Sequence, residues 1–192
     1  MPVDSLLPET ALVLVDLQHG VTGLPLVQPA AGVVASAGRL ATEFRARRLP
    51  VALVRVTWSP DGGDVLRTRV DAQPPAMDLG PDFATLHAEL GDAPDDIHIT
   101  KRGWDAFFGT ELDLQLRRRG IRSIVLGGVR TSIGVESTAR TGYLLGYEVV
   151  IASDACGDMS EPLHRNSLEQ IFPRLGRIDT TDAILAAPLE SP

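Results

Sequence analysis

Short, dense apolar runs alternate with longer stretches of helical spacing, and this alternation constrains the fold more than any other feature of the chain. Ala11–Val15 is a leucine and valine run with no polar alternation, as expected of a strand covered on both faces. Val51–Val56 reads the same way. Ile97–Thr100, Ser123–Leu126 and Tyr147–Ala152 read as further strands, with Arg177-Ile178 a candidate sixth. Helical period predicts helices from Gly32 to Arg48, Glu111 to Arg119, Gly134 to Leu145 and about Glu161 to Leu175, with a short one starting at Thr181. In the first, Val33, Ala37, Leu40, Ala41 and Phe44 share a face. Arg45, Arg47 and Arg48 close its last turn, where cations suit the negative end of the helix dipole. Strands and helices in alternation predict an α/β protein: a three-layer α/β/α, Rossmann-like parallel sheet of about six strands with helices on both faces.

At 192 residues the expectation is one domain over 1–192. A chain of that length buries roughly 70% of its unfolded surface and needs no covalent staples. The net charge of −7 opposes general nucleic-acid binding, which depends on displacing counterions with basic surface, but leaves room for a local anion pocket. Cys156 is the only cysteine, so no intrachain disulfide forms. Met1-Pro2-Val3-Asp4 has neither the basic start nor the apolar stretch of a signal peptide, and no run approaches the ~20 apolar residues of a membrane span. A cytoplasmic protein with no membrane partner is expected. From Thr57 to Asp96 prolines and glycines interrupt every pattern, which marks a functional loop region or lid.

In open parallel sheets ligands bind beyond the carboxyl ends of the strands. Asp16 follows the first strand, Lys101 the third, and the Gly127–Gly134 turn the fourth. By residue type each keeps a structural reading. Asp16 suits a helix cap or a buried ion pair, Lys101 a solvated strand end, Gly134 close packing, and Gln18 a local hydrogen bond. Glu136 and Arg140 are spaced for a surface i,i+4 ion pair. Cys156, after a different strand from Gly134, reads as a buried structural thiol. His19, His87, His98 and His164 show no paired metal-ligand spacing, and no GxGxxG occurs, so neither a metal nor a nucleotide cofactor is expected.

The segments Ala11-Leu12-Val13-Leu14-Val15-Asp16-Leu17-Gln18, Lys101-Arg102-Gly103-Trp104-Asp105-Ala106-Phe107-Phe108-Gly109-Thr110 and Gly127–Arg140 resemble, in order, the acidic, lysine and nucleophile motifs of the isochorismatase-like hydrolase superfamily. Ser153-Asp154-Ala155-Cys156 follows the next strand, as in its relatives. The resemblance implies a catalytic pair of Asp16 and Lys101. It places Gly134 where most members carry their cysteine nucleophile. Glycine cannot attack a carbonyl or hold an acyl group, so thioester chemistry is disfavoured. True isochorismatases are similar in having glycine there. Their vinyl-ether cleavage needs a proton and a water, with Asp16 as general acid and Lys101 binding a substrate carboxylate while it positions Asp16.

The resemblance also implies a cis peptide at Val129–Arg130 and backbone N–H groups of that turn, with the start of the following helix, aimed at an oxyanion or carboxylate. Substrate contacts are then expected from Val129, Arg130 and Ile133. Trp104, Phe107 and Phe108 would form an apolar wall, and Arg67 or Arg69 of the long loop would bind a second carboxylate. The partner expected is a small, carboxylated substrate, and the assembly a homodimer or homotetramer. Two other readings stand beside this one: a catalytically silent binding or assembly protein, and an amide hydrolase using Cys156 as a replacement thiol.

Overall fold

The computed structural model describes residues 3–72 and 79–190. β1 (Thr10–Val15), β2 (Val51–Val56), β3 (Ile97–Lys101), β4 (Ser123–Val129), β5 (Glu148–Gly157) and β6 (Gly176–Asp179) form one sheet in the order β3-β2-β1-β4-β5-β6. Every neighbouring pair is parallel. The helices are α1 (His19–Thr22), α2 (Ala30–Ala46), α3 (Leu112–Arg118), α4 (Glu136–Leu144), α5 (Glu161–Asn166) and α6 (Thr181–Ala186). None is long and apolar enough to cross a membrane among the described residues.

Both faces of the sheet are covered, and β1 shows why its sequence lacks polar alternation. Leu12 and Leu14 pack with Val33, Ala37, Leu40 and Phe44 of α2 and Ile184 of α6. Ala11, Val13 and Val15 point the other way, toward Leu112 and Leu116 of α3, Ala139 of α4 and Phe172. Helix α2 ends in a Schellman turn, with Arg48 N–H donating to Arg45 O at 2.9 Å and Leu49 N–H to Phe44 O at 2.8 Å. Arg48 occupies its left-handed position, φ 59°, where glycine is usual.

Several boundaries differ from the sequence reading, each for a local reason. Gly127 and Gly128 look like turn residues yet continue β4 to Val129. The strand passes so close to β1 that a Cβ on Gly128 would lie 2.1 Å from Val15 O. β5 runs on to Gly157 through a bulge, since Leu126 faces Ile151 but Gly128 faces Cys156. Ser153 and Asp154 therefore lie inside the strand, not after it. The Ser153 hydroxyl donates to Asp179 O, and Asp154 Oδ1 accepts from the N–H and hydroxyl of Thr181. The helix expected from Gly134 begins as a π-helical turn, Thr131–Val135, before α4. The long helix expected over 161–175 breaks into α5, a π turn (Ser167–Ile171) and a 3-10 turn (Phe172–Arg174), because Pro173 has no N–H to continue the ladder. Among the described residues, the loop over 57–96 holds a 3-10 turn, Ala88–Leu90, and an isolated antiparallel bridge from Leu86 to Gln18.

The chain reverses its direction of progress across the sheet between β1 and β4. That is where the strand tops splay and ligands enter such folds.

Candidate active site

The strand ends beside this switch point are tied together by Gln18, which is fully buried. Its Nε2 donates to Val56 O and Phe83 O, each at 2.9 Å, and its Oε1 accepts from Val56 N–H at 2.8 Å. One amide thus locks the chain after β1 to the last residue of β2 and to the long loop. Val56 in turn lies opposite Lys101, the last residue of β3. The tops of β1, β2 and β3 are held in register by this clamp, which the sequence reading left as a local contact.

Asp16, immediately after β1, has φ 55°, a left-handed conformation that aspartate tolerates better than most residues. It brings the carboxyl under the β3 end. Asp16 Oδ2 lies 2.7 Å from Lys101 Nζ, and the two side chains are only 7% and 2% exposed. Lys101 Nζ also donates to Gly103 O at 2.9 Å. Asp16 Oδ1 is buried and has no hydrogen-bond partner among the described residues. Burial outweighs the lysine's attraction and raises the Asp16 pKa to about 6. The carboxyl is accordingly shared between protonated and ionised forms near neutral pH.

Gly134 stands at the third corner. A Cβ built there would lie 3.3 Å from Asp16 Oδ2, 3.3 Å from Val15 Cγ1 and 3.5 Å from Val129 O. Whatever occupies that corner touches the carboxyl directly. Around it, Thr138 of α4 donates to Gly134 O at 2.7 Å and accepts from Ala106 N–H at 3.0 Å, joining the turn to the segment that follows Lys101.

The peptide between Val129 and Arg130 is cis. Three N–H groups of the turn are engaged within the protein: Ser132 N–H donates to Asp158 Oδ2 at 2.7 Å, and those of Ile133 and Val135 to Arg130 O. They hold the tight turn and its neighbour rather than pointing at a ligand. Asp158, one residue beyond β5, is a fully buried carboxylate that also accepts from Met159 N–H and lies 3.5 Å from Arg130 Nε. Sequence reasoning missed it, and no motif marked it.

Of the remaining residues, Trp104 is exposed and Ile133 half-buried, whereas Phe107 is core. Its ring stacks on Tyr147 at 5.6 Å and approaches α4 near Gly142. Arg67 lies on an exposed stretch, donating to Gly62 O, and makes no hydrogen bond to the buried pair. Glu136 and Arg140 form the expected i,i+4 ion pair, and Glu136 also accepts from the Ser167 hydroxyl. Cys156 is fully buried and its thiol is pushed up to about 12, which leaves no nucleophilic thiolate near neutral pH. Among the described residues no three His, Cys, Asp or Glu side chains group as a metal site.

The arrangement matches known proteins over nearly its whole length. The Isochorismatase domain model matches residues 10–183. An uncharacterized isochorismatase family protein of Escherichia coli O157:H7, YecD, is 50% identical over 93% of this chain and 95% of its own. A ureidoacrylate amidohydrolase of Pseudomonas syringae pv. syringae is 32% identical, over 77% of this chain and 70% of its own. The solved structure of an isochorismatase family protein from Burkholderia thailandensis superposes with a TM-score of 0.92 at 45% identity, covering 96% of this chain and 97% of that one. The chain belongs to the isochorismatase family of isochorismatase-like hydrolases.

Proposed function

We propose that the chain hydrolyses a small carboxylated metabolite by proton transfer from Asp16, without a covalent enzyme intermediate, and that vinyl-ether cleavage of the isochorismate type is its reaction. One observation carries this: a buried Asp16–Lys101 pair whose third corner, Gly134, has no side chain. A relative of amidohydrolase name offers amide cleavage as the competing chemistry. A thioester route, however, needs a nucleophile that neither Gly134 nor the inert Cys156 thiol supplies.

Protonated Asp16 delivers its proton to the terminal vinyl carbon, and the ether oxygen stabilises the resulting cation as an oxocarbenium ion. Water in the corner beside Gly134 adds to the carbon that bears the ether oxygen and returns a proton to Asp16. The hemiketal then collapses to pyruvate and the free alcohol. Lys101 holds the carboxyl in place, and Val129, Arg130, Ile133 and Trp104 surround the substrate. A pKa near 6 leaves enough protonated acid to work in this role.

The test is pyruvate release from isochorismate, with Cys156→Ser as the control variant. Turnover by the wild type, unchanged in Cys156→Ser and lost by about 10²-fold or more in Asp16→Asn, is expected. Metabolite binding without product, unaffected by Asp16→Asn, would instead support a silent binding protein.

Self-association belongs to the same reading. Phe108 and Leu144 are 81% and 82% exposed, on the loop and the helix that the Thr141–Asp105 hydrogen bond ties together. Light scattering on the purified protein is expected to show a dimer or tetramer, and a monomer at micromolar concentration counts against it.

A further inference from the structure

Resting on that reading of the site, we infer that the substrate's carboxylate is bound by the terminal amino groups of Arg130, with buried Asp158 as the positioning residue that aims them. The sequence pointed instead to Lys101, but the structure gives that ammonium other work. Lys101 Nζ is engaged by Asp16 Oδ2 at 2.7 Å and by Gly103 O at 2.9 Å, and its side chain is 2% exposed. A substrate carboxylate arriving there would compete with the pair that holds the proton donor.

Arg130 is placed differently. It leaves the top of β4 directly beside Val129, whose carbonyl borders the Gly134 corner. Its Nε is buried without a hydrogen bond and lies 3.5 Å from Asp158 Oδ1, close enough for charge compensation. The terminal amino groups make no hydrogen bond among the described residues, and the side chain keeps 22% of its surface. A guanidinium anchored along one edge and open at the other is a ready-made fork for a carboxylate, which it binds through two parallel N–H···O bonds.

Asp158 is built to hold that edge. It carries no exposed surface, and backbone N–H groups of Ser132 and Met159 fix its two oxygens at 2.7 Å each. Its own backbone is pinned by Gln28 Oε1 and Val27 N–H. Removing Asp158 would therefore loosen Arg130 and the turn together. Strand spacing sets the scale of the ligand. Asp16 tops β1 and Asp158 tops β5, two strands away, so the reacting bond and the carboxylate lie within about 10 Å. That suits a compact monocyclic acid rather than a long-chain one.

The experiment uses benzoate and its neutral isostere benzamide as probes, with binding followed by calorimetry or ligand-observed NMR. Wild type is expected to bind benzoate at least about tenfold tighter than benzamide. Arg130→Gln should lose that discrimination, leaving benzamide binding unchanged. Arg130→Lys, which keeps charge without the fork, should recover part of it. Asp158→Asn should weaken benzoate severalfold and leave benzamide alone. Asp16→Asn should retain discrimination, which separates carboxylate binding from proton transfer. Melting curves identify any variant that fails to fold, and the Arg130→Lys arm then decides. No discrimination by wild type, full discrimination in Arg130→Gln, or equal benzoate affinity in Asp158→Asn would overturn the inference. Discrimination that depends on Arg130 in a protein inert toward isochorismate would retain it while rejecting the proposed reaction.

Discussion

Asp16 concentrates the chemistry of this chain because two opposing forces meet on one carboxyl. Desolvation raises its pKa and the Lys101 ammonium lowers it, and desolvation dominates. If the protonated form is the working acid, the sign of the pH dependence follows. Activity is full below about 6, where Asp16 is protonated, and falls by about tenfold per unit as pH rises above it. A kcat/KM profile that rises through that range would argue for Asp16 as a base. Gly134 allows a sharper steric test. An alanine Cβ would sit 3.3 Å from Asp16 Oδ2, so the carboxyl must yield by a few tenths of an ångström. Gly134→Ala is expected to lower kcat by about tenfold or more through that displacement, with little loss of melting temperature. Asp16, Lys101 and Gly134 were legible in the sequence because each sits at a strand end inside an ordered motif. Asp158 was not, since apart from the adjacent Met159 N–H its partners lie 26 or more residues away in sequence, on the turn after β4 and at Gln28. The apolar run 106–108 does not reveal which ring turns inward, and it is Phe107 that stacks on Tyr147.

At the scale of elements, the strand tops are held by side-chain amides as much as by the ladder. Gln18 satisfies both backbone groups of Val56 and the carbonyl of Phe83. Gln18→Leu is expected to destabilise the protein by about 3 kcal/mol, because buried backbone groups lose their partners. At this chain length a kcal/mol moves the melting point by about 2–4 °C, so thermal denaturation reads the change clearly. A shift under 2 °C would show that water takes the amide's place. Helix α2 offers the opposite sign. Arg48 holds a left-handed conformation, φ 59°, at an exposed Schellman turn with no hydrogen bond from its side chain. Arg48→Gly is expected to stabilise by about 1 kcal/mol, seen as a rise in melting temperature. Helix and strand centres were legible from periodicity, as β2 shows by running from Val51 to Val56 as read. The ends were not, because close approach at Gly128, the β5 bulge and the π turn before α4 are tertiary decisions.

For the whole molecule, the strand order places Lys101, Asp16, Gly134 and Asp158 along one edge. Lys101 of β3 reaches across the end of β2 to Asp16 after β1, Gly134 follows β4, and Asp158 follows β5. The fold thus converts four separated stretches of sequence into a row, with a proton donor toward one end and a compensated guanidinium toward the other. The alternation of strands and helices made the α/β class readable from the sequence. The row itself emerged only from the order of the strands. The most direct measurement of the central claim is a solution titration of Asp16, following its carboxyl carbon by NMR in isotopically labelled protein and assigning it with Asp16→Asn. A midpoint about 6 is predicted, two units above an ordinary aspartate. A midpoint at the ordinary value, about 4, would mean that the carboxyl is ionised throughout the working range and cannot be the proton donor.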